Sequence, residues 1–208
     1  MTLLEHTPEA LRESSLPVLE TARLVLRAPT RADAKTLAAL VNDRRIAEMT
    51  TRIPHPNTVA DTEGFLASVN RDGDKTVFLI TARDGTLLGT CGIARRPGQP
   101  PELGYVLGVP YWGNGYATEA ARAVIDHAFS DLGYDALIAG ARVSNPASRR
   151  VLEKCGFQWT GVGLYRIRAL NSSAPVDRFR LDRGLWASLK SWSNGTTQRL
   201  THPRRDDA

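Results

Sequence analysis

Hydrophobic positions along the chain change period several times, and those changes divide it into elements. Leu24-Val25-Leu26-Arg27 reads as a short strand. Pro29 and Thr30 then open a helix whose Ala34, Leu37, Leu40 and Val41 share one face. Residues 45–59 lack such a period. Pro54, His55 and Pro56 interrupt them and predict an irregular, surface-facing segment before a short helix over 62–69. Runs 76–82 and 87–94 are β-rich, and Asp84-Gly85 between them supplies the positive dihedrals of a tight turn, so the two strands pair antiparallel. A third strand over 102–109 stops at Pro110, which has no N–H to give a ladder.

The clearest helical period runs from 116 to 132, with Ala117, Ala121, Val124, Ala128 and Leu132 in phase and Gly133 placed to cap the end. A strand over 136–143 follows. Asn145-Pro146 combines an N-cap with a proline where the first helical turn tolerates one, and that short helix ends at Gly156. Runs 158–162 and 176–181 are the last strands, with Trp186 near the end of the compact domain. Antiparallel strands early and a strand, helix, strand unit later predict an α+β fold, a mixed sheet flanked by helices.

Composition narrows the class. At 208 residues with 42% hydrophobic and 24% charged positions, the chain suits one globular domain with a sizeable core. That domain spans 19–190, between a peripheral N-terminal extension over 1–18 and a solvated C-terminal tail over 191–208. The net charge of +5 favours an anionic partner without identifying it, and the scattered arginines point to no specific nucleic-acid binding. Cys91 and Cys155 sit among apolar neighbours, with neither disulfide nor metal-ligand spacing. No metal site is expected. The first fifteen residues lack the pattern of a secretory signal, and no apolar run is long enough to cross a bilayer, so cytoplasmic residence is the expectation.

The informative stretch is Glu102-Leu-Gly-Tyr-Val-Leu-Gly-Val-Pro-Tyr-Trp-Gly-Asn-Gly-Tyr-Ala-Thr-Glu119, a strand running through a glycine-bearing loop directly into a helix. Glycines let a backbone approach a ligand closely, and a helix start offers unpaired N–H groups and a positive dipole end to a phosphate. A plain turn before a helix is the alternative. A dinucleotide fingerprint needs a small residue where Thr118 stands, and a P-loop needs Gly-Lys followed by Ser or Thr; both fit poorly.

Trp112-Gly-Asn-Gly-Tyr-Ala117 resembles the pyrophosphate signature of the GNAT superfamily of N-acetyltransferases, with Trp112 replacing the usual Gln or Arg as in its RimJ/RimL-like branch. Asn145-Pro-Ala-Ser148 and Glu153-Lys-Cys-Gly-Phe157 are similar to the family's second signature, and Leu24–Arg27 to its first strand. The resemblance covers roughly residues 19–190. It implies the GNAT fold, with a mostly antiparallel central sheet and one splayed strand pair, and acetyl-CoA as co-substrate. It implies further that Leu107 and Val109 line the pantetheine arm, which adds to the splayed strand. Trp112, Gly113, Asn114, Gly115, Tyr116, Ala117 and Thr118 would form the pyrophosphate loop, and Asn145 would reach the pantetheine from the opposite wall. For Asn145 a simple N-cap role stands beside cofactor contact.

The reaction requires a neutral amine, whereas an α-amino group titrates near 8 and a lysine amine near 10.4. Glu102, at the start of the strand, is the candidate proton acceptor through an ordered water, against the reading of an exposed strand-end charge. Many family members place a tyrosine seven residues after the second-signature Asn; here Leu152 stands there, and Ser148 matches the donor position of the RimL-like enzymes. With no cysteine nucleophile, metal cluster or His-centred triad, direct attack is expected. His55 and His127 read as structural, with His55 a candidate substrate contact in the segment 52–65 that, with 165–175, would shape the acceptor pocket. The resemblance points to a protein or peptide α-amino group as acceptor. A small amine (aminoglycoside, polyamine or amino acid) and a non-catalytic acyl-CoA sensor stand as alternatives, and a homodimer is left open.

Overall fold

A computed structural model of the chain describes residues 16–70 and 74–197, with side chains through 192. Its elements run β1 (Leu19–Glu20), β2 (Leu24–Arg27), α1 (Ala34–Val41), α2 (Arg44–Ala47), α3 (Val59–Ser68), β3 (Lys75–Ala82), β4 (Leu87–Arg96), β5 (Gln99–Leu107), α4 (Tyr116–Ser130), β6 (Ala136–Arg142), α5 (Pro146–Lys154), β7 (Gln158–Ile167), β8 (Ser172–Asp182) and α6 (Arg183–Thr197). One sheet carries all of the strands, in the order β1-β2-β3-β4-β5-β6-β8-β7.

Every neighbouring pair is antiparallel except β5 and β6. That parallel pair touches only at Glu102↔Ile138 and Leu103↔Ala139, after which the strands diverge. The splay expected from the sequence is therefore present.

Both faces of the sheet are covered, which is why β3 reads Phe78-Leu79-Ile80 without alternation. Phe78 and Ile80 pack in the larger core with Val124, Ala128 and Phe129 of α4. Leu79 points the other way, into the smaller core of Leu37 and Val41 from α1. Alanines at 120, 121 and 128 let α4 lie close on the strands. Past α4, Gly133 takes φ +71°, the left-handed conformation its capping position required.

Several boundaries differ from the sequence reading. The third strand ends at Leu107, and Val109 instead opens a 3-10 turn, Val109–Tyr111, because Pro110 favours a turn over extension. The segment expected to be irregular contains the short helix α2 and is held by buried Asn57, whose N–H donates to Asn42 Oδ1 at 2.8 Å and whose Nδ2 donates to Thr62 at 2.9 Å. Strands β7 and β8 are about twice the predicted length, forming one long hairpin around a 3-10 turn, Arg168–Leu170. The helix α6 crosses position 190, where the sequence reading ends the domain, and continues to Thr197; Trp186 anchors its start, stacked 5.2 Å from Phe129 and donating to Asp126 at 2.7 Å. The extension over 1–15 and the end of the tail, 198–208, lie outside the described residues.

Candidate active site

A cleft of about 1580 Å³ opens where β5 and β6 part. Its lining joins strand β5 (Glu102 to Leu107), the loop and first turn of α4 (Tyr111 to Thr118, apart from Asn114), Asn145 and Ser148 of α5, the segment around Arg52 and Phe65, and Tyr165 and Arg168 of the hairpin. Residues distant in sequence thus share one wall. Of the sequence-derived candidates, Glu102, Leu107, Trp112, Gly113, Gly115, Tyr116, Ala117, Thr118, Asn145 and Ser148 line it; Val109 and Asn114 do not.

Gly108 donates its N–H to Leu88 of β4. Antiparallel alternation therefore turns the backbone groups of Tyr105 and Leu107 to the other edge, toward the opening that β6 does not fill. An extended amide chain fits that edge as an added strand. The Leu107 carbonyl also accepts from Trp112 Nε1 at 2.9 Å, so the tryptophan that departs from the family signature fastens the loop to the strand end.

The loop needs its glycines. Gly113 and Gly115 have φ of +78° and +80°, and Asn114 between them donates to the carbonyls of Tyr111 (3.3 Å) and Trp112 (3.1 Å). Gly115 is the left-handed N-cap of α4, so the N–H groups of Tyr116, Ala117 and Thr118 precede the first available helical acceptor. A Cβ at Gly113 would meet nothing within 4 Å, leaving open space above those amides. Pyrophosphate chemistry suits the concavity.

Two residues the sequence reading missed hold this loop in place. Arg23 donates to Glu119 through Nε at 2.7 Å and Nη2 at 2.6 Å, reaches the Asn114 carbonyl at 3.0 Å and lies 4.6 Å over the Tyr116 ring. Thr21 donates to the same carboxylate at 2.6 Å. Burial opposes the Glu119 charge, but hydrogen bonds from Thr21 and Arg23, with the Arg23 charge, outweigh it and hold the carboxyl below its usual value. Ninety-six residues separate the partners, so no local pattern announces the clamp.

Asn145 caps α5, its side-chain oxygen accepting from the Ser148 N–H at 3.1 Å. Ser148 Oγ lies 2.9 Å from the Tyr105 hydroxyl, which also donates to the Ser148 carbonyl at 3.0 Å. Burial pushes the Tyr105 hydroxyl above the usual phenol range, partly offset by the Ser148 hydrogen bond, so it stays protonated at neutral pH. Tyr105 stood inside the stretch singled out from the sequence, yet only the fold pairs it with α5. Leu152, where many relatives carry a tyrosine, is 1% exposed in the core and does not line the cleft.

Glu102 is ion-paired with Arg96 at 2.8 Å and Arg52 at 3.8 Å. The thiols carry no candidate nucleophile: burial raises Cys91 and pushes Cys155 up to about 11. His55 is exposed and outside the cleft lining, and His127 is buried, contacting Asp131 at 2.7 Å and the Phe78 ring. Among the described residues no group of three or more His, Cys, Asp and Glu side chains is placed to hold a metal, and no helix is long and apolar enough to cross a membrane.

The sequence profile of the family described as acetyltransferase (GNAT) domain matches residues 23–158, which span both signatures and the splay. The chain belongs to the GNAT acetyltransferase family. It is 31% identical over 154 residues to the uncharacterized N-acetyltransferase YoaA of Bacillus subtilis, covering 70% of this chain and 85% of that protein. A second Bacillus subtilis protein, the uncharacterized YkkB, is 40% identical over 81 residues, 38% of this chain and 47% of its own length. Similar folds include a spermidine N-acetyltransferase of Vibrio cholerae solved with CoA and spermine, at TM-score 0.70 and 20% identity over 80% of this chain and 99% of that one. RimL, a ribosomal L7/L12 α-N-protein acetyltransferase solved with coenzyme A, reaches TM-score 0.71 at 18% identity, covering 80% and 98%. The GNAT chain is thus an acyltransferase whose fold is shared by enzymes with polyamine and with protein acceptors.

Proposed function

We propose that this GNAT protein transfers acetyl from acetyl-CoA to the α-amino group of a protein or peptide, as a RimJ/RimL-like enzyme. The observation that carries the choice of acceptor is the charge of the cleft: among the described residues, nine lining side chains are Arg or Lys and two, Asp61 and Glu102, are acidic, and although Arg45, Arg52, Arg168 and Arg180 are ion-paired, Arg142 and Arg178 have no acidic partner. A polyamine presents several positive charges to that wall and is repelled by it. An uncompensated guanidinium at about 7 Å disfavours an ammonium by about 2.4 kcal/mol at an effective dielectric of about 20, or about 1.7 pKa units. An α-amino group, titrating near 8, needs only about one unit to be half neutral at pH 7, whereas a lysine or polyamine amine near 10.4 needs more than three.

When bound, acetyl-CoA supplies the thioester carbon to which the acceptor nitrogen bonds as the carbon–sulfur bond breaks, with one proton leaving the amine and one reaching the sulfur. The amides of residues 113–118 hold the pyrophosphate, with Arg150 and Lys154 beside them on α5, whose end meets the first turn of α4 where Cys155 Sγ lies 3.9 Å from the Thr118 carbonyl. The outward backbone of Tyr105 and Leu107 receives the pantetheine amides, Val109 flanks the arm, and Asn145 faces it from α5. Ser148 donates a hydrogen bond to the departing sulfur while the Tyr105 hydroxyl turns to supply the serine oxygen. Glu102 takes the amine proton through water.

Thiol release from acetyl-CoA, measured across peptides with free N-termini, polyamines and aminoglycosides, with calorimetric titration of the cofactor in parallel, tests this reading. Peptide-dependent release supports it. Turnover of spermidine in preference to peptides refutes the acceptor, and tight cofactor binding without turnover of any amine refutes the enzyme in favour of a sensor.

A further inference from the structure

The arginines of the acceptor wall are not equivalent. Arg45 is paired with Asp43, Arg168 with Asp61, Arg180 with Asp182, and Arg52 with Glu102, which Arg96 also holds from outside the cleft lining. Arg178 alone of the cleft-lining arginines on β8 has no acidic or hydrogen-bonding side-chain partner among the described residues, yet it lies beside a strand built to receive it. Its cross-strand neighbour on β7 is Gly161, with φ +139°, and a Cβ there would stand 3.3 Å from the Arg178 Nη2; a Cβ at Gly163 would stand 3.7 Å from its Cδ. Two glycines thus clear a track for the Arg178 side chain across β7.

Register places that side chain on the acceptor side of the sheet. Arg178 is opposite Gly140 of β6, and the adjacent pair on that face, Ile138 and Arg180, continues to Glu102. Leu103, Phe179 and Leu181, of opposite parity, face the core under α4. The Gly140 edge borders the opening between β5 and β6, so the Arg178 backbone stands one strand spacing, about 5 Å, beyond it, and its guanidinium, lying over Gly161 of β7, reaches the outer rim of the cleft, where residues beyond the reacting nitrogen would pass. On the same strand as Gly140, Arg142 lines the cleft with its Nη1 committed to the Glu48 carbonyl at 2.6 Å, while its Nε is buried and has no acceptor among the described residues. A buried guanidinium donor without a protein acceptor is satisfied by water or by a ligand.

Resting on the proposed transfer to a peptide α-amino group, we infer that the acceptor carries a carboxylate close to its reacting nitrogen, received by Arg178 with Arg142 beside it: an acidic side chain within the first residues of the peptide. Arginine suits this task because its planar fork binds a carboxylate in two parallel hydrogen bonds. The same wall that repels polyamines becomes the binding element for an acidic N-terminus.

The test is acetylation kinetics on three peptides differing only at the second residue, Glu, Gln or Lys, with wild type and Arg178→Gln. Wild type is expected to prefer Glu over Gln by about tenfold in kcat/KM, carried by KM, equivalent to roughly 1.4 kcal/mol, with Lys poorest and the preference shrinking with added salt. In Arg178→Gln the Glu/Gln ratio falls toward one; because it is a ratio within one preparation, a partly misfolded variant cannot mimic it. Equal kcat/KM for the Glu and Gln peptides in wild type, or an unaltered ratio in the variant, overturns the inference. Free glutamate and its α-amide form a separate arm. Turnover of free glutamate with no peptide turned over, and with the α-amide refused, defeats the peptide reading while upholding the carboxylate requirement.

Discussion

Gly115 offers the sharpest test of the cofactor loop. Its φ of +80° and ψ of 0° lie in the left-handed region, and a Cβ there would sit 3.5 Å from Arg23 Nη2, an ordinary contact. The cost of Gly115→Ala is therefore backbone strain, about 1–2 kcal/mol, with little steric addition. That strain surfaces in one of two measurements. If the free protein keeps the loop conformation, it lowers stability, by about 2–4 °C in Tm per kcal/mol for a domain of this size. If the loop relaxes when free, the strain is repaid on binding and weakens CoA affinity, about tenfold for 1.4 kcal/mol. Thermal melts and calorimetric titration of Gly115→Ala, Gly115→Val and Gly115→Asn separate strain from size. Asparagine tolerates left-handed dihedrals and a β-branched residue does not, so Asn should disturb least despite being larger than Ala, and Val most. Asn as damaging as Val, or Val with wild-type melting and affinity, would refute the argument.

Tyr105→Phe removes the hydroxyl 2.9 Å from Ser148 and should lower kcat about five- to tenfold with KM for acetyl-CoA little changed, the loss of one hydrogen bond of about 1 kcal/mol. Combined with Ser148→Ala the effects should not add, and strict additivity of the two would sever the proposed relay. Glu102→Gln should reduce kcat/KM by about a hundredfold, the low end for a general base, and most strongly at low pH where neutral amine is scarce; a loss independent of pH would leave Glu102 only its ion pairs with Arg52 and Arg96. Acid should destabilise the protein through its depressed carboxylates, two of them partly buried. Hydrogen bonds from Arg27 hold Asp33 at about 2, and Glu119 also lies below its usual value. Depressed folded pKa values contribute stability above the ordinary carboxylate range that fades as pH falls from about 4.5 toward 2, so Tm should drop across that window, less steeply in Glu119→Gln, and a flat profile would contradict it.

What the sequence determined by itself is the set of features carried by neighbouring residues. The period of α4 with Gly133 beyond it, the Asp84-Gly85 turn, the Asn145-Pro146 cap and the glycine loop all depend on backbone preferences acting within a few positions, and each is legible for that reason. The two signatures likewise exposed the family. Tertiary structure decided what depends on distant residues meeting. The Arg23–Glu119 clamp, the Tyr105–Ser148 contact, the arginines around Glu102 and the track of Arg178 across Gly161 join positions far apart in the chain. The lengths of β7 and β8 were hidden for a related reason: long antiparallel partners sustain each other beyond their individual propensities, so Tyr165 pairs with Ala174 without a local strand signal. Charge follows the same division. A net +5 is a property of composition, but the gathering of nine basic side chains around the cleft exists only once β8, β6, α5 and the segment around Arg52 have been folded together.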